Sequence, residues 1–219
     1  MISQIFKDKL VMDVQINSVG NEIIILSSYN QNGEFYTAIM TVSPYSETET
    51  STDIQASTFG VKTKFNSLGG YAVVCDNQLL FYNEHHKHVN TFSYKGYVPL
   101  HYYLGSDYTA VVFNENIVGS NNSMYIFNKQ GELVYNDVLD GQISEITGND
   151  KFIYVLFNDK VIEINIATES LRYSDLKNVN AMNIILKDSD KLVICYPQSA
   201  DIYIIEELFD SGGINELYN

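Results

Sequence analysis

The sequence predicts an all-β protein, a β-propeller of about five four-stranded antiparallel blades. Three observations predict it. A turn followed by an apolar run recurs five times at intervals of roughly 36 to 49 residues, the period of a propeller blade. The runs are dominated by Val, Ile, Tyr, Phe and Thr, whose branched or aromatic side chains suit a pleated surface. No stretch of a dozen residues places apolar side chains at helical spacing between caps.

The blades follow in order. The first, near residues 8–57, has an extended stretch Val11 to Ser18, a turn at Gly20-Asn21-Glu22 and the run Ile23 to Leu26; its Ser, Thr and Glu-rich tail, Ser43 to Ser57, reads as an insert. The second, near 61–95, has Val61 to Leu68, Gly69-Gly70, Tyr71 to Cys75, and a third strand Gln78 to Tyr82. The third, near 97–139, has Val98 to Leu104, Gly105-Ser106-Asp107, Tyr108 to Val112, a departing loop Glu115 to Ser123, and a strand Met124 to Phe127. Its hairpin Asn128-Lys129-Gln130-Gly131 puts glycine where a positive φ is expected, before Glu132 to Tyr135. The fourth, near 141–176, has Gln142 to Thr147, Gly148-Asn149-Asp150, Phe152 to Val155, Val161 to Ile164 and Ser170 to Tyr173. The fifth, near 179–219, has Ala181 to Lys187, Asp188-Ser189-Asp190, Leu192 to Cys195 and Asp201 to Ile205, with one short helical turn at Glu206 to Phe209.

Each second strand is apolar on both faces, as in a strand sandwiched between blades, and each fourth strand is polar, as at an outer edge. The five units read as one domain over residues 1–219. They make either a small closed ring or part of a larger one of six to eight blades. In the closed case Met1 to Phe6 adds an outer strand to the last blade. A β-sandwich or solenoid is the architectural alternative.

The blade phrase Gly148-Asn149-Asp150-Lys151-Phe152-Ile153-Tyr154-Val155 and the hairpin Tyr125 to Leu133 resemble WD40-like or quinoprotein-like repeats. More narrowly, the chain is similar to an uncharacterised bacterial propeller family, a domain of unknown function that follows a single membrane anchor. That resemblance implies an extracytoplasmic, cell-envelope location with the anchor outside this chain, and no activity. It departs from eukaryotic WD40 repeats in lacking Gly-His, Trp-Asp and any Trp.

Thirteen Lys and Arg against 27 Asp and Glu give a net charge of −14, and Arg172 is the sole arginine. This excludes sequence-independent binding to nucleic acid or anionic lipid, which requires clustered cations. Two cysteines, Cys75 and Cys195, are too few for a disulfide scaffold and leave the compartment open, cytoplasmic or extracytoplasmic. Falling in separate blades, they are expected as unpaired, buried thiols.

No cofactor is expected and no catalytic residue is assigned. His85, His86 and His88 are the single histidine cluster, but a hairpin tip points neighbouring side chains apart, so no metal site is assigned. Asp188 to Asp190 and Asn149-Asp150 read as Asx turns rather than calcium loops. Counting back from each turn gives the innermost-strand positions Asn17, Asn66, Tyr102, Glu145 and Ile185, and two earlier Gln15, Lys64, Leu100, Ile143 and Asn183. These supply one carboxylate, with Asp13 a second only if its strand is shifted, whereas a propeller glycosidase needs a pair. A carbohydrate-active hydrolase is therefore the alternative to a non-enzymatic binding or scaffold module. The candidate binding surface is Tyr94, Tyr97, His101, Tyr102 and Tyr103, aromatic anchors at the crossing from the second to the third blade, suited to a protein or carbohydrate partner.

Overall fold

The computed structural model describes residues 9–45, 49–114 and 121–210. They form five antiparallel sheets in which consecutive strands are neighbours, without crossovers. The first holds β1 (Leu10–Ile16), β2 (Ile23–Gln31), β3 (Glu34–Val42) and β4 (Glu49–Ala56); the second β5 (Gly60–Phe65), β6 (Tyr71–Cys75), β7 (Gln78–Tyr82) and β8 (His88–Ser93). The third holds β9 (Pro99–Leu104), β10 (Tyr108–Asn114), β11 (Asn121–Asn128) and β12 (Leu133–Asp140); the fourth β13 (Ile143–Gly148), β14 (Phe152–Phe157), β15 (Lys160–Asn165) and β16 (Ser170–Asp175). The last has three strands, β17 (Asn183–Lys187), β18 (Lys191–Cys195) and β19 (Ala200–Ile204), followed by helix α1 (Ile205–Asp210). This simple meander is the blade pattern; a Greek-key sandwich would exchange strands between sheets.

Three expectations are corrected here. The Ser43 to Ser57 insert is the fourth strand β4 over most of its length, its polar composition reflecting an outer edge rather than a loop. The departing loop is shorter than supposed, because Asn121 to Ser123 belong to β11; residues 115–120 lie outside the described residues, as do Met1 to Phe6. The fifth blade has no fourth strand among the described residues. No helix of the described residues is long and apolar enough to cross a membrane.

The chain divides into two compact units. The first comprises Met1–Val98 with the hairpin tip Asn128–Glu132. Its core joins Ile24, Leu26 and Ile39 of the first sheet to Phe65, Tyr71, Val73, Leu80 and Tyr82 of the second. Tyr71 and Tyr82 stack at 4.6 Å, and the Tyr82 hydroxyl donates to Asp53 at 2.7 Å. The tip is fastened by side-chain amides: Asn66 donates to the Lys129 carbonyl at 3.2 Å and Asn90 to the Gly131 carbonyl at 2.6 Å. Glycine is required at 131, where φ is +81° and a Cβ would come within 2.6 Å of the Phe81 ring.

The second unit, Pro99–Phe127 with Leu133–Asn219, has two cores. One packs Ala110, Val112, Met124 and Ile126 against Ile146, Ile153, Val155 and Ile164. The other packs Tyr154, Leu156 and Val161 against Ile184, Leu192 and Ile194, with Ile205, Leu208 and Phe209 of α1 filling the outer end. A buried charge belongs to this region. Glu163, 2% exposed, accepts from Arg172 at 2.7 Å across β15 and β16, and the guanidinium lies 5.0 Å from the Phe209 ring.

Candidate functional site

The first strand of each of the first four sheets carries one extra residue relative to its partner: Met12, Val61, Leu100 and Ser144. Such β-bulges bend a strand and re-aim the next side chain. Here that next residue is Asp13, Lys62, His101 or Glu145, each opposite a buried aliphatic residue: Leu26, Val74, Val112 or Leu156. In the fifth sheet β17 pairs with β18 without a bulge and has Ile184 opposite Ile194. One structural position thus bears four ionisable side chains.

Within each unit the two face one another across adjacent first strands. In the first unit Asp13 accepts from Lys62 Nζ and from the Thr63 N–H, both at 3.0 Å, and from the Gln15 amide at 3.2 Å. Burial pushes the Asp13 carboxyl up, but these donors outweigh it and hold it below its ordinary value. In the second unit Glu145 Oε1 lies 3.4 Å from His101 Nδ1 and accepts from the Ile146 N–H at 2.9 Å. Burial again raises the carboxyl, and the hydrogen bonds from His101 and Ile146 bring it below its ordinary value. The other nitrogen of His101, Nε2, sits 3.2 Å from the Ile143 carbonyl.

Counting back from the turns found Glu145 but missed the rest. It chose Lys64 over Lys62 and Tyr102 over His101, and admitted Asp13 only with a shifted strand. Pairing register is not written in the residues of one strand, so the sequence offered the four residue types without their equivalence.

The tyrosine surface is partly dismantled. Tyr94 is 2% exposed with its ring near Phe92, so it is no surface anchor. It begins a tight turn through Lys95 (φ +53°) and Gly96 (φ +91°), closed by the Tyr97 N–H to the Tyr94 carbonyl at 3.0 Å. Tyr97 is 41% exposed. Tyr102 and Tyr103 are adjacent in β9 and so point to opposite faces. Tyr103 packs against the fourth-blade core and Gly105, and its hydroxyl is pushed up to about 12 by burial, with Asp150 and Asp107 adding to the shift. His101, on the same face as Tyr103, is the residue drawn into a polar pair.

The three histidines of the hairpin tip diverge. His85 is exposed beside Glu84, His86 meets Glu22 at 2.6 Å under the Tyr71 ring, and His88 bonds Thr91 at 2.7 Å. Among the described residues no three His, Cys, Asp or Glu side chains group as a metal site. Asn149 accepts from the N–H groups of Lys151 and Phe152 at 2.8 Å, the Asx turn expected of it. Both cysteines are free. Cys75 is buried, with its thiol pushed up to about 12 by desolvation, whereas Cys195 is only half-buried, against expectation, on the face of β18 that it shares with half-buried Lys191 and Val193.

No protein-family model and no curated protein sequence matches the chain. Solved structures do. The WD40 domain of Pan2 from Neurospora crassa matches with a TM-score of 0.54 at 9% identity, over 92% of this chain and 64% of that one. BBS1N, in complex with ARL6DN, matches with a TM-score of 0.60 at 14% identity, over 90% of this chain and 66% of that one. The chain has a β-propeller fold. Dipeptidyl peptidase 4 from Porphyromonas gingivalis also matches, with a TM-score of 0.58 at 13% identity, over 89% of this chain and 38% of that one. The propeller therefore spans between about a third and two thirds of the length of these three proteins, and at such identities the likeness is one of fold.

Proposed function

We propose that this propeller is a non-enzymatic binding module for a protein partner. One observation carries the reading. The ionisable side chains raised by the bulges are matched as acid and base within each unit, and both nitrogens of His101 are engaged, by Glu145 and by the Ile143 carbonyl. General acid–base chemistry requires a group free to exchange a proton with substrate. A satisfied pair instead offers a fixed polar surface, which suits recognition. Propellers of the WD40 type are consistent with that role.

Tyr97 and Tyr102 are the contacts to test. Immobilised full-length chain, incubated with extract of its source cells, is expected to retain a defined protein, and the Tyr97→Ala/Tyr102→Ala variant to lose it at least about tenfold, the effect of one strong aromatic anchor. Undiminished retention removes these tyrosines from the interface. Turnover of aryl glycosides or peptides that is abolished by Glu145→Gln would overturn the non-enzymatic reading. A glycan ligand and an envelope location belong to the same proposal through the resemblance to the anchored bacterial family. A glycan array and surface proteolysis of intact cells test them.

A further inference from the structure

Among the described residues four sheets end in a fourth strand and the fifth ends at β19. The backbone bonds at the two ends of the β18–β19 hairpin, Tyr196 N–H to the Ser199 carbonyl and Ile205 N–H to the Asp190 carbonyl, fix the alternation between them. Asp201 and Tyr203 bond to β18, so Ala200, Ile202 and the N–H of Ile204 turn to the open edge. Among the described residues no strand pairs there. Alongside runs a groove of about 620 Å³, lined by Asp175, Lys177, Asp201, Ile202, Ile204 and Glu207 among others. Its volume lies within the roughly 300–1,000 Å³ of ligand sites. Ile202 and Ile204 are 62% and 43% exposed, and three carboxylates against one lysine leave the lining acidic.

We propose that this edge receives a fourth strand in trans, as an extended peptide of a partner protein bearing alternate apolar and basic residues. Main-chain bonds to Ile202 and its neighbours supply a sequence-independent part of the affinity, as in strand addition to other sheet edges. Specificity comes from apolar side chains on the two isoleucines and from Lys or Arg opposite the carboxylates. The internal standard is the protein itself: β4, β8, β12 and β16 occupy the same place in the other sheets. Helix α1 fills the core beneath this outer place through Leu208 and Phe209, with the Ser174 hydroxyl donating to the Leu208 carbonyl at 2.7 Å, so the blade is sealed inside while its edge stays open. Neither Tyr97 nor Tyr102 lines this groove.

The experiment is amide hydrogen exchange on the full chain, with a fluorescent octapeptide of alternating Val and Lys as the probe. Without peptide, the Ile202 and Ile204 amides are expected to exchange at open-strand rates. At saturating peptide they slow at least about tenfold, as occupancy near 90% requires. A peptide with Glu in place of Lys, or with N-methyl groups along its pairing edge, is expected to bind at least about tenfold more weakly. Ile202→Pro removes the outward N–H while leaving the β18 ladder intact, and Ile202→Lys adds a repelling charge; both abolish anisotropy binding while keeping the circular dichroism of the parent. Protection already present without peptide would show a segment of this chain or a second copy in the place and overturn the proposal, as would absence of protection at saturating peptide. Peptide protection retained by Tyr97→Ala/Tyr102→Ala separates this surface from the binding reading above.

Discussion

The two bulge-borne pairs solve one problem differently. In the first unit Asp13 is nearly buried, at 9% side-chain exposure, and is held chiefly by a backbone N–H, with Lys62 half in solvent. In the second unit Glu145 is 35% exposed and His101 20%, so the carboxylate is more open to solvent and is held by a side-chain ring and the Ile146 N–H. The difference teaches that a bulge only aims a side chain. Whether the result is a clamp or an adjustable contact depends on what the neighbouring strand presents. Glu163, fully buried against Arg172, extends the series to a carboxylate with no solvent at all.

The strongest way to sharpen the series is Arg172→Met, which leaves Glu163 buried without its cation. A loss of about 3–5 kcal/mol is expected by chemical denaturation. Asp13→Ala comes next, at about 1.5–3 kcal/mol, because the Thr63 N–H loses a charged acceptor. Acid titration checks the same contrast. Both Asp13 and Glu145 lie below their ordinary values when folded, so each contributes stability that is present above about pH 4 and lost as pH falls through the lower folded value. Asp13→Asn is expected to flatten that acid limb more than Glu145→Gln, whose own cost in thermal denaturation is about 0.5–1 kcal/mol. Lys62→Met is expected to be smallest, below about 1 kcal/mol, and to shrink further as added salt screens the half-exposed ammonium. An Asp13 effect no larger than that of Lys62 would mean that the backbone bond is not what holds the first pair.

The meander was legible because turns and apolar runs are local signals, and every expected second strand is present as β2, β6, β10, β14 or β18. Outer strands were harder: β4 is rich in Ser, Thr and acidic residues, which is how both an edge and a loop are written. The site was less legible still. Asp13, Lys62, His101 and Glu145 stand at no constant distance from their turns, since the stretch of first strand between the bulge and the turn differs in length from blade to blade. Tyr94 misled because a tyrosine beside a Gly turn reads as exposed, whereas here the turn closes over it.

The hairpin tip Asn128–Glu132 belongs to the first unit although its flanking strands belong to the second. During synthesis, therefore, the amides of Asn66 and Asn90 wait for acceptors that emerge roughly 34 residues after Val98, some 2–7 s later at about 5–20 residues per second. The N-terminal half of this protein is a lock whose key is translated later.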